Sequence, residues 1–168
     1  MLPPFNFKDW ITTNQHLLKP PVGNQVVYEN TELIIMVVGG PNTRKDYHID
    51  DGEEFFYQLE GNMILRIMED GKPKNIAINE GDIFLLPPRV PHSPQRFENT
   101  VGLVIERKRR DGELDGFQWY CDGCDALLYE EYLPLTDIVK QLPPIFDGFW
   151  GNNDARTCNY CSAYLEKP

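Results

Sequence analysis

The sequence predicts an all-β protein, a sandwich or barrel of short antiparallel strands, followed by a metal-bearing C-terminal tail. Two observations carry this. Short apolar runs recur about every 8–12 residues between residues 26 and 106, punctuated by Gly, Pro and Asn. All four cysteines then fall after residue 111, as the pairs Cys121/Cys124 and Cys158/Cys161. Taken in order, Asp9–Leu18 reads as a helix, and Val26–Val38 as an apolar strand stopped by Gly39-Gly40-Pro41-Asn42. Phe55–Leu59 and Met63–Met68 flank Glu60-Gly61-Asn62, which reads as a hairpin connection. A turn at Asp70-Gly71-Lys72-Pro73 precedes strands at Asn75–Ile78, Ile83–Leu86 and Val101–Glu106. A second helix is expected over Thr136–Leu142, with Thr136 as its cap. The expected division is a barrel over residues 1–110 and a metal-binding extension over 111–168 that packs on it.

With 168 residues, 41% hydrophobic and 25% charged, the chain is long enough for one compact domain and too apolar for disorder as its main state. No run approaches the ~20 apolar residues of a membrane span. The first ten residues lack the apolar core of a secretory signal, so a cytoplasmic location is expected. A net charge of −10 repels phosphate backbones, which argues against nucleic acid. The run Arg107-Lys108-Arg109-Arg110 is followed at once by Asp111, Glu113 and Asp115 and reads as a solvated strand end.

His48, Glu54 and His92 form the first constellation. Two imidazoles and a carboxylate from neighbouring strands can occupy one face of a metal and leave the opposite face open to substrate and dioxygen, as in non-heme Fe(II) oxygenases. Glu53 is the rival of Glu54, but the spacing to Gly61 favours Glu54 and leaves Glu53 in solvent. Strand alternation puts Phe56 and Gln58 on the face of Glu54, where both can line the cavity, and Pro94 lies between His92 and Arg96 as a wall. His16 has no partner spacing and reads as structural.

These spacings resemble the two motifs of the cupin family, a small double-stranded β-helix (jelly-roll) barrel. In the first, Asp50 stands where cupins usually carry a second histidine, ahead of Glu54 and Gly61; the second runs Gly81, five residues, Pro87, four residues, His92. Further segments resemble the 3-hydroxyanthranilate 3,4-dioxygenase family: Leu17-Leu18-Lys19-Pro20-Pro21-Val22-Gly23-Asn24, Gly39 to His48 with Arg44, Glu54-Phe55-Phe56-Tyr57-Gln58, Pro91-His92-Ser93-Pro94 with Arg96, and Ile105-Glu106-Arg107. The resemblance implies Fe(II) at His48, Glu54 and His92, with 3-hydroxyanthranilate and O2 as substrates of a ring-opening reaction. Its product, 2-amino-3-carboxymuconate semialdehyde, closes to quinolinate, a precursor of NAD. The resemblance further implies that Arg44 and Arg96, each four residues from a ligand histidine, bind the substrate carboxylate. Glu106 is implied as the acidic partner of its amino or hydroxyl proton and a general base, and a homodimer is implied.

Paired CxxC knuckles at Cys121, Cys124, Cys158 and Cys161 predict a tetrahedral sulfur site for iron or zinc. A reducing compartment disfavours two disulfides, and the acidic neighbours Asp122, Asp125, Glu130 and Glu131 disfavour nucleic acid. In the resembled family this site binds iron away from the active site, so a structural role is expected. Two other readings stay open at this stage: a non-catalytic metal-dependent cupin that binds a small aromatic carboxylate, and an interaction module built on the knuckles.

Overall fold

The structure, a computed structural model, describes residues 3–19, 23–136 and 138–168, without the side chains of residues 138 and 139. The expected motif residues Pro20, Pro21 and Val22 lie outside the described residues. Two antiparallel sheets face each other as a jelly roll. One contains β1 (Asn24–Val26), β2 (Leu33–Gly39), β9 (Val101–Arg107), β4 (Glu54–Glu60) and β7 (Ile83–Leu86), in the spatial order β1-β2-β9-β4-β7. The other runs β11-β10-β3-β8-β5-β6, with β3 at Asp46–Ile49, β5 at Met63–Glu69, β6 at Lys72–Ile78, β8 at His92–Arg96, β10 at Asp115–Tyr120 and β11 at Leu127–Leu133. The sheet thus draws strands from both sides of residue 110: Phe117 of β10 lies opposite His48 of β3.

The link Glu60-Gly61-Asn62 is not a hairpin. β4 pairs with β7 and β9, whereas β5 pairs with β6 and β8, so the link crosses from one sheet to the other. The reason lies in the burial pattern. Glu54, Phe56 and Gln58 are the buried residues of β4, and Met63, Leu65 and Ile67 are buried on β5. Each strand therefore has one buried face, and Phe56 of β4 meets Met63, Leu65 and Ile67 of β5 across the sandwich with Ile78, Leu86 and Val104. Face-to-face burial stabilises each large side chain by roughly 1.5–3 kcal/mol, which an edge-to-edge hairpin would not supply. Gly61 turns the chain at φ +65°, and a Cβ there would sit 2.9 Å from Thr100 Cγ2. The hairpin signal belongs instead to Asp70-Gly71, which joins β5 to β6, with positive φ at both residues. The apolar stretch Val26–Val38 also divides. β1 ends at Val26, Asn30 turns at φ 55°, and β2 returns antiparallel, with Asn24 opposite Val38.

Helix α1 (Phe7–Asn14), capped by the Asn6 side chain, continues as a short 3₁₀ turn at Gln15–Leu17. Phe7, Trp10 and Ile11 cover Val37 and Val101 on the first sheet, while His16 is exposed. Helix α2 runs over Ile138–Trp150, further than the expected Thr136–Leu142, and continues through Pro143 and Pro144. Ile145 and Phe149 pack against Phe117 and Trp119, with the Trp119 and Phe149 rings stacked at 4.4 Å. That apolar contact prolongs the helix where proline would end it. A one-turn helix α3 (Asn153–Arg156) follows. No helix among the described residues is long and apolar enough to cross a membrane.

Candidate metal centres and substrate cavity

His48 of β3 lies directly opposite His92 of β8 in the second sheet. Glu54 of β4 lies directly opposite Glu106 of β9 in the first. Closing the sandwich brings imidazoles from one sheet onto carboxylates from the other. Glu54 Oε2 is 3.2 Å from His92 Nε2, and Glu54 Oε1 is 4.0 Å from His48 Nδ1. One donor atom from each of the three residues lies within 4.8 Å of the others. A divalent ion ~2.1 Å from each donor needs donors about 3–4 Å apart on one face, so the set fits such an ion. Both rings are tethered on their other nitrogen. His92 Nδ1 donates to the Val90 carbonyl at 3.0 Å, and His48 Nε2 donates to Asp115 Oδ2 at 2.7 Å. His92 Nε2 and His48 Nδ1 are therefore the nitrogens that face Glu54 and are available to a bound ion. Burial would raise the Glu54 carboxyl, but His92 and His48 outweigh it and hold it down at about 2. Glu53 is exposed.

Asp50, in the place of a second histidine, is buried beside the triad, with carboxylate oxygens within 4.8 Å of donor atoms of Glu54 and of His48. Its Oδ1 accepts the Gly52 N–H at 3.1 Å, and its Oδ2 pairs with Arg109 at 3.2 Å.

A cavity of about 360 Å³ opens over these groups, within the range of small-molecule sites. His48, Glu54, His92, Arg44, Arg96 and Glu106 all line it. Its apolar wall includes Phe56, Pro94, Met36 and Val104, and Leu142 of α2 reaches it from the C-terminal extension. Gln58 does not line it; its Oε1 accepts from Arg96 Nη1 at 3.3 Å.

The two arginines differ. Arg44 is held bidentately by Asp46 and already has its counter-ion. Arg96 is 3% exposed, its Nε has no hydrogen-bond partner, and no carboxylate pairs with it among the described residues. Burial pushes its guanidinium down to about 10, opposed by the charge of Glu54. A buried cation without a counter-ion is an anion site. Glu106 is its complement. Oε1 is held by Arg109 Nη1 at 2.9 Å, while Oε2 is buried without a partner. Burial, together with the charge of Glu54, pushes the carboxyl up to about 7, the range of a general base.

The cysteines make the second centre. Cys121 and Cys161 Sγ atoms are 3.5 Å apart, as are those of Cys124 and Cys158, and all four cysteines are free thiols. Sulfurs bound tetrahedrally at ~2.3 Å are about 3.8 Å apart, so this set fits a metal too. The knuckles share one design. Cys121 N–H donates to Ala126 O at 2.8 Å and Asp125 N–H to Cys121 O at 2.9 Å; Cys158 N–H donates to Ala163 O at 2.9 Å and Ser162 N–H to Cys158 O at 2.9 Å. Asp125 and Ser162 both adopt positive φ. Cys158→Ser is expected to release this metal and lower Tm by roughly 5–10 °C, a loss of ~2–3 kcal/mol, with turnover within about twofold of the parent; thermal melts beside steady-state rates check it. Loss of turnover in the folded variant would overturn the structural role.

Comparison with known proteins decides the family. A family model described as 3-hydroxyanthranilic acid dioxygenase matches residues 1–150. This chain belongs to the 3-hydroxyanthranilic acid dioxygenase family. It is 54% identical over 158 residues to the 3-hydroxyanthranilate 3,4-dioxygenase of Shewanella woodyi, covering 94% of this chain and 84% of that one. The protein of the same name from Paraburkholderia phytofirmans is 54% identical over 159 residues, with 94% and 91% covered. That of Xanthomonas oryzae pv. oryzae is 52% identical over 161 residues, with 96% and 91% covered. Among solved structures, a cupin-2 domain protein from Shewanella frigidimarina is similar at a TM-score of 0.48 and 22% identity, covering 62% of this chain and 94% of that one.

Three residues of this dioxygenase-family chain escaped the sequence reading. Asp115 and Arg109 sit in the acidic and basic run after β9, whose composition alone suggested solvent. Gly102 gave no signal at all. It lies opposite Gln58, and a Cβ there would be 2.5 Å from Arg96 Nη1 and 2.9 Å from Gln58 Oε1. Gly102 is thus the bed on which the Arg96 guanidinium rests. Gly102→Ala is expected to raise KM about tenfold through a displaced Arg96, and initial rates over a substrate series measure it.

Proposed function

We propose that the chain opens the aromatic ring of 3-hydroxyanthranilate with O2, forming 2-amino-3-carboxymuconate semialdehyde, which closes to quinolinate. The observation that carries this reading is the pair of unsatisfied buried groups flanking the His48–Glu54–His92 triad: Arg96, a cation without an anion, and Glu106 Oε2, an acceptor without a donor. The substrate brings a carboxylate for the first and a hydroxyl or amino proton for the second.

His48, Glu54 and His92 would hold Fe(II), which when bound supplies chelation of the adjacent amino and hydroxyl groups and activation of O2. Arg96 fixes the far end of the ring through its carboxylate, with paired charge-assisted hydrogen bonds. Arg44, clamped by Asp46, adds positive potential on the same wall. Phe56 and Pro94 close on the ring faces and keep water from them. Glu106 Oε2 takes the proton that the substrate loses on binding, while Arg109 stabilises the other oxygen. The four-cysteine site is read as a structural iron or zinc site, and a reducing cytoplasm keeps its thiols free. A homodimer completes the proposal. The outer face of the first sheet supports it: Leu85, Phe55 and Ile105 form one cross-strand row, and Leu85 and Ile83 are exposed. Mass in solution reads that point.

Turnover under oxygen-18 gas tests the reaction. Ring opening puts one labelled atom in the new carboxylate and one in the aldehyde, and ring closure expels the aldehyde oxygen as water. Quinolinate carrying one oxygen-18 atom is expected. Unlabelled quinolinate, or none, would contradict the proposal.

A further inference from the structure

We propose that Arg109 is a positioning residue of the catalytic centre, holding Glu106 directly and the His48 imidazole through Asp115. The inference rests on the ring-opening reading above and goes beyond it. Arg109 lies two residues past the end of β9, in a basic run whose neighbours Lys108 and Arg110 are exposed. Its own side chain turns inward and is 16% exposed. Every nitrogen of its guanidinium is used on a buried carboxylate. Nε donates to Asp115 Oδ1 at 2.9 Å and Nη2 to Asp115 Oδ2 at 2.7 Å, while Nη1 is ion-paired with Glu106 Oε1 at 2.9 Å and Nη2 with Asp50 Oδ2 at 3.2 Å.

Two consequences follow from that fork. Fixing Glu106 by Oε1 alone leaves Oε2 as its free oxygen on the cavity wall. Fixing Asp115, which is fully buried, sets Oδ2 where it accepts the His48 Nε2–H at 2.7 Å. The imidazole is then locked with its other nitrogen toward Glu54. A carboxylate behind a ligand histidine fixes the ring and raises its basicity, and losing one weakens metal binding about 10- to 100-fold. A single planar guanidinium serves three carboxylates here; the ammonium of lysine is a point charge without that fork.

The test uses Arg109→Lys and Asp115→Asn, with two readouts. One is Mn(II) affinity, followed by the EPR signal of free Mn(II), because this ion prefers nitrogen and oxygen donors to the four thiolates. The other is steady-state kinetics at saturating metal, with thermal melts to confirm folding. For Arg109→Lys we expect Mn(II) binding weakened about 10- to 100-fold and a kcat loss of similar size, with KM within about threefold because Arg96 is untouched. For Asp115→Asn we expect the same loss of Mn(II) affinity but a kcat within about threefold once metal saturates. A folded Arg109→Lys with parental Mn(II) affinity and kcat and only a lower Tm would overturn the proposal. Unchanged Mn(II) affinity in Asp115→Asn would break the link to His48. Parent protein that binds Mn(II) yet never opens 3-hydroxyanthranilate would refute the ring-opening reading, while the Mn(II) comparison still judges Arg109.

Discussion

Glu54→Ala is expected to lower tightly bound metal from two ions to one per chain and to abolish ring opening. Glu54 is the carboxylate that both imidazoles face, at 3.2 and 4.0 Å. Without it two histidines remain, and a two-ligand site does not retain a labile divalent ion against buffer. The rate loss should far exceed the ~100-fold that removing an outer partner costs. The four-cysteine site lies on other elements, between β10 and the chain end, and should keep its ion. Metal analysis and turnover on the same sample read both effects. Two ions retained per chain would move the ligand role to another carboxylate. Asp50 and Glu106 are the ones at hand, since both reach within 4.8 Å of Glu54.

Arg96→Ala is expected to raise KM and the anaerobic substrate Kd by roughly 30- to 1000-fold, the ~2–4 kcal/mol of a broken buried ion pair. The stability readout should move the other way or not at all. In the substrate-free protein Arg96 is a buried guanidinium whose one side-chain hydrogen-bond partner among the described residues is the neutral Gln58, so its desolvation is offset only in part, by the charge of Glu54. Arg96→Met, which keeps much of the volume, should therefore fold with a Tm equal to or above the parent while losing substrate affinity. An unchanged Kd would transfer the carboxylate contact to Arg44, whose guanidinium would then have to leave Asp46.

The two clusters proposed as metal donors were legible because their spacing is rigid. Glu54 and His92 are fixed by neighbouring turns and strands, and each CxxC pair is set by its own backbone hydrogen bonds, so local sequence suffices. The strands β4, β5, β7 and β9 were legible because apolar burial marks them. β3, β8 and β10 were not, because Asp46, His48, Ser93, Gln95, Arg96 and Asp115 put polar groups where a strand normally shows alternation. All of these but the half-buried His48 are buried, by one another and by the site, a pairing that exists only after the sheets close. The false hairpin at Gly61 has the same origin: a short Gly link looks alike whether it turns within a sheet or passes between two. Arg109 looked like a surface cation because a lone sequence does not show the three carboxylates that gather round it. Gly102 became meaningful only when the Arg96 guanidinium was found lying against it.

The most direct test of the whole account is dioxygen uptake on adding 3-hydroxyanthranilate to protein loaded anaerobically with Fe(II), with the ring-opened chromophore followed in parallel. One O2 consumed for each product formed is the predicted result. No uptake by protein with iron confirmed at His48, Glu54 and His92 would contradict it, leaving a metal-bound cupin that holds a small aromatic carboxylate without opening its ring.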